Sequence, residues 1–260
     1  IATDISQALA GILAFAYICL KAKHLIPKKD EYAVTKEDRS DLIQSALAMG
    51  FMSCIVNIGT VILQRAINNL GTDIVTAHTA ARKIFDILMF MLYIVGNAVT
   101  TFVSQNMGAG KYDRVHQGVR DAIIINTIIT TVMIVCGWLF SPALIRLVAG
   151  TSDPAIIEPA VRYVRIGVTC FYVLGPLFVL RCAMQGMGRK IVPVMSSSME
   201  FVGKVLAVMI LTPRLGYMGV TITEPIIWFC CTLMLSIMYL STPVEKLVAK
   251  RQEAGVKASC

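Results

Sequence analysis

Residues 87–110 read ILMFMLYIVGNAVTTFVSQNMGAG, a run with no charged side chain. At about 1.5 Å per residue it is about 36 Å long as a helix, more than the roughly 30 Å of a bilayer's hydrocarbon core. Working outward, residues 42–64, 122–145 and 225–244 are equally free of charge. Three further stretches are less clean: 5–20, 155–183 interrupted by Arg162, Arg165 and Arg181, and 191–213 carrying Glu200 and Lys204. Together they predict an all-α integral membrane protein, a helical bundle of about seven transmembrane helices. Composition agrees, because 260 residues that are 56% hydrophobic and 15% charged, with mean hydropathy +0.70, are too apolar for a water-solvated domain.

Basic residues fall on alternate sides of these spans. After the first, third, fifth and seventh come Lys21, Lys23, Lys28, Lys29, Lys36 and Arg39, then Lys111, Arg114 and Arg120, then Arg189 and Lys190, then Lys246, Lys250, Arg251 and Lys257. The other connectors hold Arg146, Arg162 and Arg214. The positive-inside bias makes the first side cytoplasmic, C-terminus included, in a multi-pass protein of a bacterial plasma membrane. The net charge of +8 then belongs beside anionic lipid, and no nucleic-acid partner is needed to explain it.

Residues 1–22 are expected to be the last helix of an N-terminal lobe that this chain lacks, since it opens at Ile1 directly into an apolar run. Residues 23–40, charged and containing Pro27, read as a cytoplasmic inter-lobe linker, 41–243 as a six-helix C-terminal lobe, and 244–260 as a cytoplasmic tail. In that tail Val244, Leu247 and Val248 are spaced for a short surface helix, with a solvated tail as the alternative. Of the eight cysteines seven lie in apolar runs, where Cys acts as a small hydrophobe. His24, His78 and His116 sit apart on separate connectors, so neither a metal site nor a nucleophile and base is visible, and the chain reads as no enzyme.

Two connectors carry recognisable text. Gln105, Asn106, Met107, Gly108, Ala109, Gly110 and Lys111 lead to Arg114, and Gln185, Gly186, Met187, Gly188 and Arg189 lead to Pro193. They resemble the Q-N-x-G-A-G-x-x-x-R and Q-G-x-G-R...P signatures of the multidrug and toxic compound extrusion (MATE) family. Asn68, Gly71, Thr72, Ala80, Ala81, Ile84, Gly216, Gly219, Val220 and Trp228 support the resemblance. It implies the second lobe of an efflux transporter preceded by one helix. On physical grounds alone, Gly108 and Gly110 permit backbone conformations closed to residues with a Cβ, as a tight cytoplasmic turn or a gating element requires. A phosphate loop is excluded, because Tyr112 stands where Ser or Thr is needed.

Ionisable groups in the hydrocarbon layer demand a partner, a wet cavity or a role. Asp86 and Glu200 fall near mid-depth, where transporters place coupling sites. Arg82 and Lys204 stand one turn away from each, so structural i,i+4 ion pairs are one reading and sites that exchange a proton, a sodium ion or a cationic drug are the other. Asn57, Gln64 and Asn68 on the second span and Asn97 on the third are expected to bond between helices or to face substrate. Met89, Phe90, Met91 and Tyr93 suit either packing or contact with flat organic cations. Residues 42–64 contain no acid, although some branches of the family carry one there, so the ion site cannot be transferred from the resemblance.

The implied function is a proton- or sodium-coupled antiporter exporting organic cations or drugs, with no cofactor beyond the coupling ion. Its partners would be the bilayer, small organic cations and the lacking lobe. Coupling ion and substrate would compete for one carboxylate and bias one conformational equilibrium in opposite senses. A lipid-linked precursor flippase is the alternative; it requires cations lining the cavity, for which Arg65, Lys83 and Arg165 are candidates. An inactive fragment is the other.

Overall fold

The computed structural model describes residues 2–23, 26 and 36–243. The chain forms two compact units, Ile1–Leu47 and Ala48–Cys260. The first contains α1 (Ala2–Lys21), whose described side chains are mostly exposed, with Asp4 in its first turn and Lys21 in its last opposing the helix dipole. It also contains the start of α2 (Lys36–Asn68). The second continues α2 and adds α3 (Thr72–Gly108), α4 (Tyr112–Ala149), α5 (Pro154–Thr169), α6 (Phe171–Gly186), α7 (Ile191–Leu206), α8 (Thr212–Leu215) and α9 (Tyr217–Leu240). Among the described residues six segments, with α7 and α8 as one span, are long and apolar enough to cross a membrane, and the bent pair α5 and α6 supplies a seventh.

The helices run past the apolar stretches. α3 has 37 residues and α4 has 38, about 55 Å each at 1.5 Å per residue, so Lys36, Arg39, Arg114 and Arg120 belong to the opening turns of α2 and α4 rather than to connectors. Arg162 is inside α5, and His78 and His116 are inside α3 and α4, which corrects the expectation that all three sit on connectors. His24 and the tail with Val244, Leu247 and Val248 lie outside the described residues.

The fifth stretch is broken rather than continuous. α5 begins at Pro154 with Asp153 as N-cap, its carboxylate accepting the Ala155 amide at 2.9 Å. The chain then bends by 54° at Cys170, where ψ is 0°. Pro176, lacking an N–H, sits in the next helix, and donors from neighbouring helices bond two carbonyls there: Thr232 to Val173 at 3.0 Å and Asn126 to Gly175 at 3.3 Å. A π-turn at Ala207–Leu211 joins α7 to α8 just before Pro213, with Thr212 donating back to the Ala207 carbonyl at 3.3 Å.

α3 is the spine, burying Ala77, Ala81, Phe85, Leu92, Val99, Val103 and Met107 against α4, α5 and α6. In lipid, apolar burial does not drive helices together, so close packing through small residues takes its place. Gly167 lies under the Phe85 ring and Gly203 under Ile227, each so close that a Cβ would overlap the neighbouring side chain.

Candidate functional site

The two signature connectors are built alike. Lys111 N–H bonds the Asn106 carbonyl at 2.9 Å and Gly110 N–H bonds Met107 at 3.3 Å; in the later connector Arg189 bonds Met184 at 3.0 Å and Gly188 bonds Gln185 at 2.9 Å. Each pair is a Schellman C-cap, with glycine in the left-handed region at φ 72° for Gly110 and 79° for Gly188. Gly108 has no such need: it closes α3, its φ is not positive, and a Cβ there would meet open space. Gly186 is required for contact, since a Cβ would lie 2.8 Å from the Thr100 carbonyl of α3. Asn106 donates to the Phe102 carbonyl at 2.8 Å and Gln185 to Met49 Sδ at 3.5 Å, whereas Gln105 is exposed and Arg114 and Arg189 lie in or beside the first turn of the following helix.

Inside the bundle the ionisable side chains form two clusters. In the first, Arg82 on α3 donates from Nε to Asp86 Oδ1 at 2.7 Å, and from Nη1 to both carboxylate oxygens of Glu224 on α9, at 2.9 and 3.0 Å. Tyr163 on α5 donates to Glu224 Oε2 at 3.2 Å. The two acids differ in environment, because the Glu224 side chain is 10% exposed and that of Asp86 is 56% exposed. His78, one turn before Arg82, bonds the Tyr217 hydroxyl through Nδ1 at 3.2 Å and lies edge-on to the Tyr163 ring at 5.0 Å. Tyr217 lines a cleft of about 160 Å³ together with Ile74, Glu158, Pro159, Arg162, Met218 and Thr221.

The second cluster joins α6 and α7 to α2. Lys204 donates to Glu200 Oε1 at 3.0 Å and to Thr60 Oγ1 at 3.2 Å, while Arg181 donates to Ser196 Oγ at 2.8 Å and reaches Glu200 Oε2 at 3.5 Å. Lys204 is 4% exposed because Gly59 lets α2 close over its stem. Lys204 is also within electrostatic range of Glu224, so Asp86, Arg82, Glu224, Lys204, Glu200 and Arg181 alternate in sign across four helices. Alternation lets each buried charge be compensated on the spot, without which its burial would cost several kcal/mol or more.

α3 also presents an outer face. Thr72, Thr76, Thr79, Lys83, Asp86, Phe90, Tyr93, Asn97, Thr101 and Ser104 recur every three or four residues, and all are exposed. Beside this column runs an apolar one, Ile87, Met91, Ile94, Ala98 and Phe102, also exposed. The hydroxyls of Thr76, Thr79, Thr101 and Ser104 return to α3's own carbonyls, whereas Lys83, Asn97 and the half-exposed carboxylate of Asp86, which meets Arg82 through Oδ1, suit water. Tyr93 meets Phe178 edge-on at 5.9 Å. Phe90, Met91 and Tyr93 do not pack into the core, and Met89 is half-buried. On α2, Asn57 bonds the Ser53 carbonyl at 2.8 Å and Gln64 bonds Asn68 at 3.0 Å, so these amides bond along their own helix and not between helices as expected.

Spacing showed the same-helix pairs, Arg82 with Asp86 and Lys204 with Glu200. It missed Glu224, Tyr163, His78, Tyr217 and Arg181 as their partners. Glu224 is the one charged residue between Tyr217 and Leu240, a signal of the kind that marks Asp86, but it stands just outside the uncharged run that opens at Pro225. Among the described residues no three His, Cys, Asp or Glu side chains converge as metal ligands would.

The MatE family model matches residues 48–210, more than half of the 260. The chain belongs to the MatE family. A probable multidrug resistance protein of Bacillus subtilis, YoeA, is 23% identical over 200 residues, 75% of this chain and 42% of that protein. Among solved structures, MATE in the bent conformation superposes with TM-score 0.80 at 16% identity, over 91% of this chain and 54% of that one. A MOP superfamily transporter from Pyrococcus furiosus, described as having a binding pocket of reversed polarity, gives 0.70 at 13% identity over 77% and 44%. This MatE chain thus spans about half the length of the relatives it matches, and its membership places it in a family of multi-pass membrane transporters rather than enzymes.

Proposed function

We propose that this MatE chain carries the C-terminal lobe of a cation-coupled antiporter that exports organic cations or drugs, and that this lobe works against an N-terminal lobe of which α1 is the last span. The observation that carries the reading is the half-exposed carboxylate of Asp86 near the middle of α3, with exposed Phe90 and Tyr93 on the same helix face. A carboxylate supplies charge, and ring faces next to it attract an organic cation; the polar column supports a water-lined path along them. Glu200, held between Lys204 and Arg181, serves in this reading as a fixed tie between helices. The charge bias of the connectors supports a cytoplasmic C-terminus in the bacterial plasma membrane. As for a flippase, Arg165 is turned onto α4, bonding the Trp138 carbonyl at 3.0 Å with its guanidinium 5.0 Å from that ring, which removes one of the three cations that reading needs.

The test is ethidium efflux from cells. Asp86→Asn abolishes efflux while membrane insertion is unchanged, and Phe90→Ala with Tyr93→Ala weakens it; wild-type efflux by the Asn variant rules the assignment out.

A further inference from the structure

We propose that Arg82 is a counter-ion shared between Glu224 and Asp86, so that a proton on Glu224 and an organic cation on Asp86 exclude one another. This rests on organic-cation binding at Asp86, proposed above, and adds where the coupling proton binds and what links it to the substrate.

Three charges decide the behaviour. Two carboxylates face one guanidinium, whose Nε serves Asp86 and whose Nη1 serves Glu224. While Glu224 is ionised, it competes for Arg82 and leaves the exposed Asp86 with negative charge to spare for an incoming cation. When Glu224 takes a proton, its charge-assisted bonds to Nη1 are lost; Arg82 then compensates Asp86 alone, and the organic cation is released. The converse holds, because a cation on Asp86 frees Arg82 to hold Glu224 ionised. Linkage requires that the two effects be equal.

The surroundings of Glu224 fit a proton site. Arg82 on α3 and Tyr163 on α5 bond it, and His78 on α3 and Lys204 on α7 lie within electrostatic range; Asp86 meets the cluster through Arg82, and Tyr217 through His78 and Tyr163. Lys83 is the exposed neighbour of Arg82. Arg181 on α6 is committed to Ser196 and Glu200. The carboxyl is buried, and a chain of contacts runs from it to the cleft: Tyr163 bonds the carboxylate, His78 lies edge-on to the Tyr163 ring, and His78 bonds Tyr217, which lines the cleft. The step is a plain proton transfer: an O–H bond of hydronium at the cleft breaks, one forms on the Glu224 carboxylate, and the guanidinium keeps its charge throughout.

The test uses the intact protein in lipid nanodiscs with tetraphenylphosphonium, a cation with no proton of its own, in weakly buffered acidic solution in which Glu224 carries a proton, with a pH indicator present. Wild type releases protons on binding the probe, and its affinity falls as the solution is acidified. Glu224→Gln, locked neutral, binds about tenfold more weakly, releases no proton and loses the acid dependence. Arg82→Gln, which uncouples the acids, binds more tightly than wild type, and adding Glu224→Gln to it changes nothing further. A merely structural role would not move the two variants in opposite directions. If Asp86→Asn retains wild-type affinity, the binding reading beneath the proposal fails. If Asp86→Asn loses affinity while Glu224→Gln retains both affinity and proton release, the shared counter-ion is overturned. Should Glu224→Gln not fold, the Arg82→Gln, Glu224→Gln double variant, free of both charges, decides: persistent proton release overturns the proposal.

Discussion

Arg82 does different work for its two acids, and stability measurements separate them. Glu224 is buried, so removing it leaves a guanidinium without its main partner in low dielectric, a loss of about 3 to 5 kcal/mol for a buried pair broken on one side. Asp86 is half-exposed, and exposed pairs contribute about 0 to 1 kcal/mol. Glu224→Ala is therefore expected to lower the thermal unfolding midpoint in detergent sharply and Asp86→Ala to leave it nearly unchanged. Arg82→Met with Glu224→Met, which removes both charges of the buried pair, should recover much of the loss. Equal loss from the two single variants would mean that Asp86 is as dry as Glu224. These are also the residues where sequence reading reached its limit. An i,i+4 spacing fixes neighbours on one helix, as for Asp86 and Glu200, but Arg82 and Glu224 are 142 positions apart, and only tertiary packing joins them.

At the level of helices and turns, the glycines of the signature connectors divide by mechanism. Gly110 and Gly188 hold left-handed backbone, where a Cβ costs about 1 to 2 kcal/mol. Gly186 sits against the Thr100 carbonyl and Val103, so a methyl there has to push α6 off α3, an overpacking cost of about 1 to 3 kcal/mol. Gly108 does neither. In a detergent melting series, Gly108→Ala is expected to match or exceed wild type, while Gly110→Ala and Gly186→Ala fall below it; a loss at Gly108 equal to that at Gly110 would point to a gating role rather than a cap. Span positions and turns were legible because hydropathy and glycine both act locally. The bend at Cys170 was not, because a run of apolar residues reads the same straight or broken, and the donors that bond its carbonyls, Thr232 and Asn126, arrive from other helices.

For the whole molecule the question is which exposed surface meets lipid and which meets water. Both columns of α3 are exposed, and composition tells them apart: a lipid face tolerates Ile87, Met91 and Ile94, whereas Lys83, Asp86 and Asn97 would be costly there. Single cysteines introduced into a background lacking the native ones give a direct readout with a membrane-impermeant maleimide. Thr79→Cys, Asn97→Cys and Thr101→Cys should label, at rates that change when tetraphenylphosphonium is added, while Ile87→Cys, Met91→Cys and Ile94→Cys stay unreacted. The same reagent fixes orientation, with Asn69→Cys reacting in intact cells and Lys111→Cys only after lysis, as the basic connectors require. Unreacted cysteines along the whole polar column would show that α3 turns it toward a dry interface, and an Asp86 enclosed there would have no water through which a cation could arrive.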